Sequence, residues 1–204
     1  MMSSYGTTAL LQVLSDEEYL DLEKKTGLKY ELLEGEVFPV PQANFNHRII
    51  AGNFNQHLGR LLRGRCLVGS ADLRLKVEAT GLLTYPDVFV TRGDLTMVDP
   101  GTTFINPILI GEVLAPVSEL YDRTIKFAHY RQIPTLSTYI LVSQNAPHVE
   151  IYTRETDTKW LLTTASGPHA TVELASLKIA LSLADIYSGV EFPDSGDSLR
   201  PIRR

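Results

Sequence analysis

The run Ile108-Leu109-Ile110-Gly111-Glu112-Val113-Leu114 restricts what this chain can become more than any other stretch. Apolar residues occupy both alternating positions, the pattern of a strand covered on both faces in the interior of a sheet. The fold must therefore supply a layer on each side of that sheet. Within the run sits one acid, Glu112. A carboxylate persists in such a place only where an opposite charge or hydrogen bonds offset its lost hydration.

The neighbouring pattern says what those layers are. Ser15-Asp16-Glu17-Glu18 has the form of a capping box, opening a helix to about Lys25 that Gly27 ends. Residues 29–40 predict a hairpin turning at Glu34-Gly35, and Ile50, Phe54, Leu58 and Leu61 fall at helical spacing on a longer helix over about 44–63. The period then changes to two, predicting strands over 66–77, 83–91 and 106–114, with a polar loop over 92–103. A helix over about 118–132 is stopped by Pro134, and a strand over 137–142 follows. The last third holds short strands near 149–152, 160–164 and 172–174 and a short helix at 183–187.

This order predicts an α/β fold of mixed α+β type. A central mixed sheet is flanked by helices, preceded by a helix and hairpin and extended by C-terminal antiparallel strands, with 106–142 as a parallel strand-helix-strand crossover. Residues 1–192 are expected to form a single domain, and the polar residues 193–204, with Pro and Gly, a mobile tail.

Composition removes some classes of function. A formal net charge of −5 argues against strong nonspecific polyanion binding, although Arg60, Arg63, Arg65, Arg74 and Lys76 make a local basic stretch. Such a stretch either tracks a phosphate backbone or is a solvated face. No apolar run reaches membrane-spanning length, and Met1 to Leu11 lacks the basic-then-apolar form of a secretory leader, so no membrane partner is expected. The lone Cys66 fits a reducing, cytoplasmic setting. Gly-rich phosphate loops and a nucleophile elbow are both missing from the sequence.

Chemistry concentrates in a few acids and one lysine. Pro86-Asp87 opens the apolar run Val88-Phe89-Val90, so Asp87 and Glu112 stand on neighbouring strands. Asp122, Lys126 and Tyr130 follow at i,i+4 steps on one helix face. Magnesium takes hard oxygen ligands, commonly one or two carboxylates completed by water and phosphate, which makes Asp87 and Glu112 candidate metal ligands. The Lys126 ammonium can hold an attacking water and neutralise a scissile phosphate. His47, near the start of the long helix, is a candidate general base or extra ligand, and Glu36, closing the hairpin, a candidate for the same cleft. The same residues also admit structural roles: Asp87 in an exposed turn, Glu112 facing an arginine, Asp122 and Lys126 as a surface ion pair.

Pro86-Asp87, then Glu112-Val113-Leu114-Ala115-Pro116-Val117-Ser118, then Asp122, Lys126 and Tyr130 resemble the motifs of the Uma-type restriction endonuclease family, within the PD-(D/E)XK nuclease superfamily. Tyr30-Glu31-Leu32, Glu34-Gly35-Glu36 and His47 resemble its N-terminal motifs, so the likeness runs over about 14–142. The resemblance implies a restriction-endonuclease-like core, Asp87 and Glu112 as metal ligands, and Lys126 as a catalytic lysine displaced from strand to helix. It also implies Mg as cofactor with Mn as substitute, and DNA as partner. Leu114 departs from it, standing where the superfamily has lysine, as do Ala115 and Val117, where the family usually has hydroxyls that support the ligands.

Two readings follow. One is a magnesium-dependent endonuclease hydrolysing DNA phosphodiester bonds as a homodimer, joined through its C-terminal strands. The other is a catalytically degenerate nuclease-fold binding or interaction module. A hydrolase of another phosphate ester would share the site but not the substrate.

Overall fold

The computed structural model describes residues 13–99 and 101–192. The tail expected over 193–204 and the N-terminal stretch Met1 to Leu11 lie outside the described residues.

Helix α1 (Asp16–Thr26) begins on the capping box, where Ser15 accepts from the Glu18 amide and Glu18 reaches back, and it ends on Gly27 at φ 68°. Strands β1 (Tyr30–Leu33) and β2 (Glu36–Pro39) form the hairpin, with Glu34 and Gly35 both at positive φ in the turn. Helix α2 (Phe45–Leu61) is capped by the Asn44 side chain, which accepts from the His47 amide. Strands β3 (Leu67–Ser70), β4 (Arg74–Val77), β5 (Leu82–Thr84), β6 (Val88–Thr91), β7 (Thr103–Phe104) and β8 (Leu109–Leu114) follow. The next helical stretch has three parts: α3 (Glu119–Tyr121), a π-helical turn (Asp122–Lys126) and α4 (Phe127–Tyr130). Then come β9 (Thr138–Ser143), β10 (His148–Arg154), β11 (Trp160–Ser166), β12 (Thr171–Leu174), β13 (Ile179–Ser182) and α5 (Leu183–Ile186).

Six strands form the larger sheet in the order β11-β10-β9-β8-β6-β3, with β8 and β9 parallel and the other pairs antiparallel. A five-stranded sheet, β2-β1-β5-β4-β7, packs against it. Every residue of β8 is buried, Glu112 included, as the apolar residues on both of its faces require. One face of the larger sheet meets α2, the β12–β13 hairpin and α5 through Ile50, Phe54, Leu58, Leu109, Val113, Leu181 and Ile186. The other meets the smaller sheet and α4 through Leu75, Leu82, Phe104, Ile110, Leu114 and Tyr130.

The structure corrects two strand expectations. Residues 66–77 form two strands, β3 and β4, in different sheets, broken at Ala71 to Leu73, where the Asp72 and Leu73 amides turn back to the Ser70 carbonyl. Residues 83–91 likewise divide into β5 and β6, because Pro86 has no N–H for a ladder and disfavours continuation. The chain thus crosses between sheets at Tyr85-Pro86-Asp87. The sequence reading also missed β13, which pairs with β12 along its length. Among the described residues no helix is long and apolar enough to cross a membrane.

Candidate active site

Register decides whether two acids on adjacent strands can cooperate. Val88 pairs with Gly111, and extending that antiparallel ladder by one residue sets Asp87 opposite Glu112 on the same side of the sheet. The two are tied reciprocally. The Asp87 amide donates to Glu112 Oε2 (3.1 Å), and the Val113 amide donates to Asp87 Oδ2 (2.8 Å).

Lys126 reaches this pair from the π-helical turn. Its Nζ lies 3.0 Å from Glu112 Oε1, 3.0 Å from Glu31 Oε1 and 3.6 Å from Asp122 Oδ1. In the π turn the hydrogen bonds span one residue more than in an α-helix, and both Asp122 and Lys126 are buried there. The Asp122 carbonyl accepts from the Tyr139 hydroxyl (3.0 Å) and its carboxylate from Ser118 Oγ (2.8 Å). The Tyr130 hydroxyl donates to Glu112 Oε1 (2.8 Å), and the Thr84 hydroxyl to Glu31. His47 enters from the first turn of α2, with Nε2 3.2 Å from Asp87 Oδ2.

The cluster has an inner and an outer end. The side chains of Glu112 and Lys126 are 4% and 7% exposed, whereas those of His47 and Asp87 are 12% and 18% exposed. Burial pushes the Glu112 carboxyl up to about 8, with Asp87 adding to the rise and Lys126 opposing it. Burial likewise raises Asp122 against the pull of Lys126. Glu31 goes the other way, since Lys126 and the Thr84 hydroxyl outweigh its burial and hold it below the usual carboxylate range. For Lys126 burial is outweighed by Glu112 and Glu31, so the ammonium stays charged. Burial also works against the His47 imidazolium, but the Asp87 hydrogen bond and charge exceed it and raise the histidine.

Of the residues singled out from sequence, Asp87, Glu112, Lys126 and His47 come together and Glu36 does not. Glu36 is exposed on the outer strand β2, and Glu31, the buried acid of β1, occupies the place beside Lys126. Tyr30 and Leu32-Leu33 flank Glu31, but apolar neighbours alone do not tell which glutamate of the hairpin turns inward. Thr84 carried no signal as a lone hydroxyl, and Ser118 entered only as the end of the Glu112–Ser118 run, with no role of its own. The basic stretch does not form one track: Arg74 is buried against Glu23, Lys76 pairs with Asp16, and Arg60 pairs with Asp185. Among the described residues no three His, Cys, Asp or Glu side chains stand as a ready-made cation cage. Lys126 fills the gap between Glu31, Glu112 and Asp122.

The family described as Uma2, putative restriction endonuclease, matches residues 16–184. An uncharacterized protein of Synechocystis sp., slr1290, is 32% identical over 94% of this chain and all of its own length. A second, sll1609, is 33% identical over 84% of this chain and 98% of its own. A crystal structure described as a putative nuclease belonging to DUF820, from Anabaena variabilis, superposes with a TM-score of 0.66 at 20% identity, covering 83% of this chain and 97% of that one. At that identity the likeness is one of fold.

Proposed function

Because the chain belongs to the Uma2 family of putative restriction endonucleases, we propose that it is a magnesium-dependent endonuclease hydrolysing DNA phosphodiester bonds at the Asp87–Glu112–Lys126 cluster. The observation that carries this reading is a surplus of buried negative charge. Glu31, Asp87, Glu112 and Asp122 gather around one ammonium and one imidazole, and the raised Glu112 and Asp122 carboxyls favour protons in relief. A divalent cation would relieve the same surplus, so the donor set fits one.

Asp87 and Glu112 would hold Mg2+, with Mn2+ as substitute, and the bound ion would make a water more acidic and offset phosphate charge. The remaining steps belong to the chain's own groups. Tyr130 and the Asp87 amide fix the Glu112 carboxylate, while Glu31 and Asp122 keep Lys126 charged and aimed. The Lys126 ammonium orients the attacking water, whose proton passes to solvent as its oxygen bonds to phosphorus. His47, paired with Asp87 at the outer end, donates a proton to the departing oxygen. Cutting both strands of a duplex takes two such sites, so the working unit is a homodimer in the cytoplasm.

Linear and supercoiled duplex DNA incubated with Mg2+ or Mn2+ tests this. Asp87→Asn and Glu112→Gln are expected to lower cleavage by about a hundredfold or more. Cleavage undiminished by Asp87→Asn sinks the assignment. The second reading, a non-catalytic module, draws on Leu114 at the superfamily's lysine position and on a Lys126 fully enclosed by acids. Titration calorimetry showing no Mg2+ or Mn2+ binding, with or without DNA, would favour that module.

A further inference from the structure

The larger sheet ends on β11, and among the described residues nothing pairs with its outer side. A row of free backbone donors and acceptors on a sheet edge is a template for another strand, and proteins that remain single protect such edges. The other outer strands carry protection. Strand β2 has Glu36 and Pro39, β3 is four residues long with Gly69, β7 has two residues, β12 carries Glu173, and β13 packs on α2 and α5. Strand β11, Trp160–Ser166, is seven residues long with no charge and no proline. Its Leu161 and Leu162 are each 47% exposed, on opposite faces.

We infer that β11 pairs antiparallel with β11 of a second copy of this chain, joining two six-stranded sheets edge to edge across a two-fold axis. The order of side chains selects a copy of itself over an unrelated strand. β11 is bulky at its start and small at its end, so a register centred on Thr163 sets Trp160 beside Ser166, Leu161 beside Ala165 and Leu162 beside Thr164. Each large side chain meets a small one. The first charge beyond the strand, Lys159, falls beside Gly167 rather than its own copy, and it is paired with Glu155. A two-fold axis perpendicular to the sheet keeps matching faces together, as a self-complementary contact demands. Nothing here rests on the nuclease reading, because the contact uses only the sheet edge.

The symmetry supplies the test. Thr163 is exposed and lies at the centre, so Thr163→Lys opposes lysine to lysine and Thr163→Glu opposes acid to acid. Sedimentation without DNA is expected to give the full chain at twice its mass. Each variant alone should dissociate about tenfold or more readily, and an equal mixture of the two should recover the dimer. Far-UV circular dichroism and thermal unfolding confirm that both variants fold. A monomeric parent chain overturns the inference, as does a dimer indifferent to both variants or a mixture of folded variants that fails to reassociate.

Discussion

Among the described residues Lys126 is the only cation touching Glu31, Glu112 and Asp122, and all four groups are buried. Replacing it by Met keeps the side-chain volume and strands the acids, a loss of about 3–5 kcal/mol at neutral pH. Urea unfolding at neutral and mildly acidic pH measures it. The deficit should shrink in acid, where the raised Asp122 takes up a proton, Glu112, at about 8, already holding its own at neutral pH. An equal deficit at both pH values would mean that packing, not charge, is what Lys126 supplies. At this scale the sequence was readable where an acid broke an apolar run, as with Asp87 and Glu112. It was not readable among Glu31, Glu34 and Glu36, because which glutamate turns inward depends on a hairpin register and on the neighbouring strand that covers it.

Between elements, the contact that sets the site is α2 against β8. A Cβ on Gly111 would stand 2.3 Å from Phe54 Cε1, so the helix can lie this close only over a glycine. His47 rides on that helix and reaches Asp87 from it. Gly111→Ala is expected to cost about 1–3 kcal/mol through overpacking and to weaken cleavage more than Mg2+ binding. Thermal unfolding and cleavage rates check this, with Phe54→Leu added to Gly111→Ala restoring part of both. No recovery in the double variant would place the cause elsewhere. Alternation revealed strands over 66–77 and 83–91 but not that each divides between sheets, since a period of two reports burial and not which layer is met. The π-helical turn was equally hidden, because i,i+4 spacing of Asp122 and Lys126 also suits an α-helix.

For the whole molecule the shifted groups combine into a pH profile. Glu112, raised to about 8, contributes stability that is complete below the ordinary carboxylate value and disappears as pH rises through about 8. His47, also raised, contributes below the ordinary imidazole value and loses that contribution as pH climbs past its own. Glu31, lowered, contributes above the usual carboxylate range and loses it in acid. Metal-free protein should therefore lose stability as pH rises from mildly acidic to above about 8. Mg2+ binding must displace the Glu112 proton, so its gain in melting temperature should grow over the same interval. A melting temperature that ignores Mg2+ throughout removes Asp87 and Glu112 as ligands.

The cluster draws Glu31 from one sheet, Glu112 from the other and Asp87 from the crossing between them. A blade assembled across a seam is blunt whenever the seam opens. Partial unfolding that parts the two sheets would separate Glu31 from Glu112 and undo the whole cluster in one step, leaving neither half with a working remnant.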